Sequence, residues 1–372
     1  MESLSVTTDD HIFTISTHPT TPLIAVGDIT GRVSCYSPSG DGDKKMIENI
    51  SIQEHSKACR ALCFSLKGDK LYSASKDKHI LSINPISGQI LSDVLLAIKS
   101  PINVMLYLSD RLVCGHDSGT VSVYNSADLS CIGSLVITEQ NEYVSGICHT
   151  PSHRQVVVTT GEGQIAIIDI RDIIVKKKFY SNSEILCVCC ISGEKKCVTG
   201  DTEGKLQFFS WLDNPLQPYA HVTCVSDSSI DSCLALPQGE LLCVGCGDGV
   251  IRIVNMLLRQ VTGVIGHKQK MQIDNLIIAD ALDMLCCSSG NKVMLWKISN
   301  IFIGIEKIEK KRNCEQIEER DRNKKIKLSE TSESPQIELS VVKELGKKKK
   351  KKKKRQQVQS RSERAQFFDG LL

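Results

Sequence analysis

The chain has 372 residues with 46 Lys+Arg against 43 Asp+Glu, a formal net charge of +3; its 41% apolar and 24% charged residues match a soluble globular protein. No run approaches the roughly 18 uninterrupted apolar residues of a membrane helix, and the acidic start Met1-Glu2-Ser3-Leu4 through Thr8-Asp9-Asp10 lacks a basic-then-apolar leader profile. Membrane insertion and secretion are therefore not expected, and 17 cysteines in this length fall short of a disulfide scaffold.

Along the chain, the segment Ser3–Thr8 precedes seven related units. Each unit has a small residue, a short polar or Gly-rich turn and an alternating apolar run. Anchored on the turn positions Gly31, Lys78, Gly119, Gly163, Gly204, Gly249 and Asn291, the intervals are 47, 41, 44, 41, 45 and 42 residues. Two residues after each anchor stand Val33, Ile80, Val121, Ile165, Leu206, Ile251 and Val293, all apolar. Four residues after it the position is apolar in six of seven units, counting Cys35 and excepting Ser82. A spacing of two with one buried face is the mark of a β-strand. Four residues before the anchor stand Gly27, Ala74, Gly115, Thr159, Gly200, Gly245 and Cys287, small side chains suited to a crowded strand.

The second unit reads as four strands, Cys59–Phe64, Lys70–Ser75, His79–Ile83 and Gln89–Leu95. Such a unit cannot cover both of its faces alone, and radial stacking supplies the missing cover. The seventh unit shows only three strands, Gln272–Ile278, Met284–Ser288 and Lys292–Ile298, so Ser3–Thr8 is expected to complete it. The fold class is all-β: a seven-bladed propeller over residues 1–300, followed by a charged tail over 301–372.

These residues resemble the WD-repeat family. His55, Ser75 and Asp77 match its hydrogen-bonding trio, and Gly266-His267 and Trp296 are further marks. The family's Asp column reads Thr30, Asp77, Ser118, Glu162, Glu203, Asp248, Gly290, so blades beyond the second are expected to rely on packing more than on a buried polar network. The stretches His55–Ala61, Ser75–Lys78, Ser229–Cys233 and Cys246–Arg252, with the ending Phe367-Phe368-Asp369-Gly370-Leu371, resemble the WD repeat-containing protein 55 family. That resemblance implies a nucleolar protein connected with ribosomal RNA production and ribosome assembly.

Several residue groups invite a chemical reading. Cys243-x-x-Cys246 resembles half a zinc site, but residues three apart on a strand face opposite ways, and no second such pair exists. Cys187, Cys189 and Cys190 read as strand filler, so neither metal nor cofactor is expected. His55, Ser75 and Asp77 imitate a hydrolase triad without a nucleophile elbow, and Gly245-x-Gly247-x-Gly249 joins strands without opening a helix. The chain therefore reads as a non-enzyme without a small-molecule substrate. Asp169-Ile170-Arg171 is similar to the WD-repeat signature for docking a cullin-type ubiquitin-ligase adaptor, with Ile168 in place of Trp; it supports the alternative of a ligase substrate receptor through Asp169 and Arg171. Residues leading into the innermost strands, Arg60, Asn103, Tyr143, Asp231 and Asp274, are expected on one rim, where protein partners bind.

The tail carries 21 Lys+Arg against 12 Asp+Glu, net +9, leaving the first 300 residues with 25 against 31, net −6. Residues 306–327 read as a solvated charged helix and Ser329–Ser334 as a linker. Lys347, Lys348, Lys349, Lys350, Lys351, Lys352, Lys353, Lys354 and Arg355 are nine consecutive cations, expected to be disordered and to act as a nuclear or nucleolar address. Any contact of this block with pre-ribosomal RNA would be sequence-blind and salt-dependent. Phe367, Phe368 and Leu371 form an apolar end that reads as a partner-docking element.

Overall fold

The computed structural model describes residues 3–299 apart from 40–44, 139–141, 151–153, 192–195, 212–215, 238–239 and 266–270. Gly266-His267 and the tail, with Lys347–Arg355, Phe367, Phe368 and Leu371, lie outside the described residues. Seven four-stranded antiparallel sheets stand in sequence order, and in the first six each strand pairs with its neighbour in the chain. They occupy residues 12–52, 59–95, 102–136, 144–180, 185–223 and 230–265. The second blade is built of Cys59–Phe64, Leu71–Ser75, His79–Ile83 and Ile90–Leu95, within one residue of the sequence reading at each end.

The seventh blade closes the ring. Its strands Asn275–Ala279, Met284–Ser289 and Lys292–Lys297 take their fourth, outermost member from the chain start, Ser3–Thr7. The pairing runs from Ser3 opposite Trp296 to Thr7 opposite Lys292. Ring closure thus ties residues nearly 300 positions apart, and both chain ends of the propeller sit in one sheet.

The core is not one mass but seven layers, one in each seam between blades. Leu62, Phe64 and Leu71 of the second blade meet Ala25, Val33 and Cys35 of the first. Ile12 and Ile15 of the first blade meet Val6, Met284 and Leu295 of the seventh. Both faces of a blade's inner strands are consequently apolar, and the second strands of the first, second, sixth and seventh blades are buried at every position. The outermost strands Ile90–Leu95 and Ile174–Tyr180 expose every second residue.

The turn residue at each anchor has a left-handed backbone, with φ of 92° at Gly31, 66° at Gly119, 89° at Gly163, 76° at Gly204 and 78° at Gly249. At Gly119 there is a second reason for glycine: a Cβ would lie 2.6 Å from the Glu142 carbonyl in the incoming loop of the next blade. The seventh anchor differs from expectation. Gly290, not Asn291, holds the positive φ of 61°, and Ser289 faces Lys292 across a two-residue turn. The turn is shorter than its counterparts, so Ser288, not Cys287, lies opposite Val293.

Lys78 occupies the same left-handed position at φ 73° without being glycine. A non-glycine residue there costs about 1–2 kcal/mol, and the entropy lost by a glycine offsets about half of that. Lys78→Gly is therefore expected to stabilise the protein by about 0.5–1 kcal/mol, read as a higher denaturant midpoint with an unchanged slope; a lower midpoint would place the side chain's own contacts above the backbone strain.

Candidate functional site

In an antiparallel blade, the turns between second and third strands share one face with the loops that enter each innermost strand. That face carries a repeated backbone device. In six blades the innermost strand pairs its first and third residues with adjacent partners and skips the second: Cys59 faces Ser75 while Ala61 faces Ala74. The same bulge separates Ile12/Thr14, Ile102/Val104, Val144/Gly146, Ile185/Cys187 and Ile230/Ser232. A bulge leaves its extra residue out of the ladder and re-aims the side chain. The skipped residues are Phe13, Arg60, Asn103, Ser145, Leu186 and Asp231, all half-buried. Asp274 precedes the seventh innermost strand at the corresponding place, its N–H donating to the Ser288 carbonyl at 3.1 Å.

Four of the five expected rim residues, Arg60, Asn103, Asp231 and Asp274, thus belong to one ring of seven. Tyr143 does not: it stands one residue before its strand, exposed, with its ring over Gly161. Phe13, Ser145 and Leu186 were missed because they are chemically unlike the others. Their shared distance of 18 residues before the anchors Gly31, Gly163 and Gly204, the same as Arg60 before Lys78, was the available signal.

The structure joins Arg60 and Asn103 through Asp117, which sequence reasoning also missed. The Arg60 guanidinium donates to both Asp117 oxygens at 3.0 and 2.9 Å and to Asn103 Oδ1 at 2.6 Å. Asn103 Nδ2 in turn donates to Asp117 Oδ1 at 2.6 Å. This trio straddles the seam between the second and third blades. At the seventh blade, Gln272 Nε2 donates to Asp274 Oδ1 at 2.7 Å, and burial pushes the Asp274 carboxyl above the ordinary carboxylate value. On the fourth and fifth blades the face gathers Glu142, Glu162 and Glu184; burial, then the two neighbouring carboxylates, raises Glu142. Of the seven ring positions one is cationic, Arg60, whose charge Asp117 answers, and two are acidic, Asp231 and Asp274.

Behind the rim lies the polar support. The His55 ring sits between Asp77 Oδ2, 3.1 Å from Nδ1, and Ser73 Oγ, 2.9 Å from Nε2. Asp77 as acceptor fixes the proton on Nδ1, so Ser73 donates to Nε2. Ser75, expected to take this place, is one step away: it donates to the Lys57 carbonyl at 2.8 Å and accepts the Asp77 N–H at 3.0 Å. Ser73 and Ser75 share a strand face, and the far ring nitrogen reaches the deeper one. Burial pulls the Asp77 carboxyl up, but the N–H groups of His79 and Ser56 and the His55 ring together hold it below its ordinary value. Burial holds His55 below its ordinary value against the opposing pull of Asp77, and this keeps it neutral.

The third and fifth blades do retain buried polar networks, contrary to expectation, because the residue moved, and the first blade uses the same position. Asp28 Oδ1 accepts from the Thr30 and Arg32 N–H groups at 2.9 Å each and from Thr30 Oγ1 at 2.7 Å. Asp201 Oδ1 accepts the Glu203 and Lys205 N–H groups at 3.0 and 2.8 Å, and its Oδ2 accepts Ser183 Oγ at 2.9 Å. In the third blade His116 donates from Nδ1 to the Ser100 carbonyl at 2.9 Å and accepts Ser122 Oγ at 2.6 Å. All three stand two residues before the family's Asp column, at the position of Ser75.

Comparison with known proteins now bears directly on this arrangement. The family model described as WD domain, G-beta repeat matches residues 48–82, the stretch that contains His55, Ser73 and Asp77. A WD repeat-containing protein 55 from Homo sapiens is 30% identical over 293 residues, covering 76% of this chain and 73% of that one. Those of Rattus norvegicus and Arabidopsis thaliana are 29% and 25% identical, covering 76% and 78% of this chain and 73% and 82% of theirs. The chain belongs to the WD repeat-containing protein 55 family. WD-repeat propellers are in general non-catalytic platforms for protein–protein interaction, and this family member has that architecture.

Within this family member the remaining candidates have structural partners. Asp169 is 1% exposed and accepts Arg154 Nε at 2.8 Å and the Arg171 N–H at 3.1 Å, so its carboxylate is turned into the blade. Ile168 lies in the core between the third and fourth blades, and the Arg171 side chain is exposed. The two residues named for adaptor docking therefore do not form one surface pair. Cys243 packs in the seam between the sixth and seventh blades and Cys246 in the seam between the fifth and sixth, back to back as their spacing requires.

Burial depresses His18, His55 and His116 alike. Each stays neutral in the fold while the unfolded chain takes up a proton near pH 6.5. Their contribution is full above that value and is lost as pH falls towards the folded values. Asp274, raised, acts with the opposite sign but nearer the carboxylate range. Denaturant midpoints measured between about pH 7.5 and 5.5 should fall with pH, by at most about 1.4 kcal/mol per pH unit for each histidine. A flat profile in the native protein, or an unchanged slope in His55→Gln, would contradict this.

Proposed function

We propose that this chain is a non-enzymatic nucleolar scaffold that serves ribosomal RNA production and ribosome assembly. The bulge-built rim holds protein partners, and the tail block Lys347–Arg355 delivers the molecule to a polyanion-rich compartment and touches pre-ribosomal RNA through its phosphates. The observation that carries this reading is the division of charge, −6 over the first 300 residues and +9 over the last 72. An acidic interaction platform is a poor ligand for phosphate, whereas nine adjacent cations release counterions on meeting it. Membership of the WD repeat-containing protein 55 family supports the same role.

A reporter fused to residues 301–372 is expected to collect in nucleoli, and replacing Lys347–Arg355 with neutral residues should disperse it. Depletion of the full-length protein should lead to accumulation of ribosomal RNA precursors, seen by pulse labelling. A diffuse reporter removes the targeting role of the tail, and unaltered precursor kinetics remove the ribosomal one.

A further inference from the structure

The seam between the fourth and fifth blades differs from its neighbours at the innermost strands, Val144–His149 and Ile185–Cys190. Gly146 lets the two backbones close in: a Cβ there would stand 2.9 Å from Val188 Cγ1 and 3.3 Å from the Val188 nitrogen. Two residues further along each strand, Cys148 Sγ and Cys190 Sγ lie 2.9 Å apart, across 42 residues of chain. Both cysteines are free and both residues are half-buried. Cys189, by contrast, is turned into the next seam with Cys187, and Cys197 is buried in the apolar layer.

We propose that Cys148 and Cys190 form a modification site at which a peroxide makes a reversible disulfide, stapling the fourth blade to the fifth. Hydrogen peroxide oxidises one thiol to a sulfenic acid with release of one water. The second thiol attacks that sulfur, its proton leaves with the hydroxyl as a second water, and the S–S bond forms. Two thiols lose two protons and two electrons, and the peroxide takes up both to become two waters. A dithiol reductant reverses the step by exchange. The sulfurs must approach by about 0.9 Å to reach bonding distance, within reach of small side-chain rotations. Burial holds the Cys148 thiol well above its ordinary range, so peroxide attack is assigned to Cys190, and Cys148 is the resolving thiol that gives up its proton to the departing hydroxyl. The proposal is independent of the scaffold reading, because it concerns a seam and not the rim.

The test uses the full-length chain, reduced, freed of reductant and titrated with hydrogen peroxide. Remaining thiols are blocked with iodoacetamide and the digest is mapped by mass spectrometry. A Cys148–Cys190 linked peptide is expected at the lowest peroxide doses, disappearing with dithiothreitol. The thermal midpoint of the oxidised protein should rise by about 5 °C, and Cys148→Ser and Cys190→Ser should each abolish the rise. Should either serine variant fail to fold, the alanine variants and the native peptide map carry the test. Separate alkylation of Cys148 and Cys190 after peroxide, or linkage mainly to Cys189, Cys197 or Cys233, would overturn the proposal.

Discussion

At Gly119 the chain turns left-handed, its carbonyl accepts the Ile137 N–H at 2.9 Å, and the space a side chain would need is filled by the next blade's incoming loop. The Lys78, Gly163 and Gly204 carbonyls accept in the same way from Leu96, Ser181 and Cys224 at 2.8, 2.8 and 2.9 Å. One backbone turn thereby fixes three things: the hairpin within its own blade, the exit of that blade's outermost strand, and the approach of the next blade. A radial assembly has little else to set its pitch. Apolar layers between blades are permissive about angle, whereas a hydrogen bond from the exit loop to the turn is not.

The bulge in six of the innermost strands sits level with that registration. The exit loop delivers the chain to the next innermost strand at a fixed height, and the extra residue is expelled where the strand begins. The ring of bulge positions is therefore a product of the same constraint that closes the propeller. Arg60 and Asn103 come together through Asp117 because Asp117 directly follows the second strand of the third blade, level with the bulge of the innermost strand. Support from His55, Asp28, Asp201 and His116 lies beneath the rim on the same turns, so protonation of the histidines acts on the platform and not on any reacting group.

Much of this was legible in the residues. Seven anchors, the apolar columns and the missing fourth strand of the last unit together specify a ring closed by Ser3–Thr7, because no other arrangement covers every blade face. What escaped reading was reach. Ser73 and Ser75 present the same hydroxyl to the same face, and spacing cannot decide which one the imidazole of His55 meets. Asp28 and Asp201 cap their turns from two positions upstream of the usual aspartate, in the Gly-Asp pairs Gly27-Asp28 and Gly200-Asp201, so a column search sees a loss where the structure has a substitution. Shortening of the last turn by one residue likewise moves Cys287 out of register with its counterparts, although Val293 keeps its place.

The contrast between backbone and side chains bears on how such a platform recognises anything. Hydrogen-bonded turns and bulges repeat around the ring, yet the seven rim positions hold Phe13, Arg60, Asn103, Ser145, Leu186, Asp231 and Asp274, with no two adjacent ones alike until the acidic pair. A partner that read only the repeat would have no preferred rotation. One that pairs with Asp231 and Asp274 has a single orientation, because a shift of one blade leaves one of its charges facing Leu186 or Phe13. For the scaffold proposed above, degeneracy of the repeat would be the source of specificity. Moving the internal capping duties onto residues such as Asp28, His116 and Asp201 leaves the bulge positions free to differ.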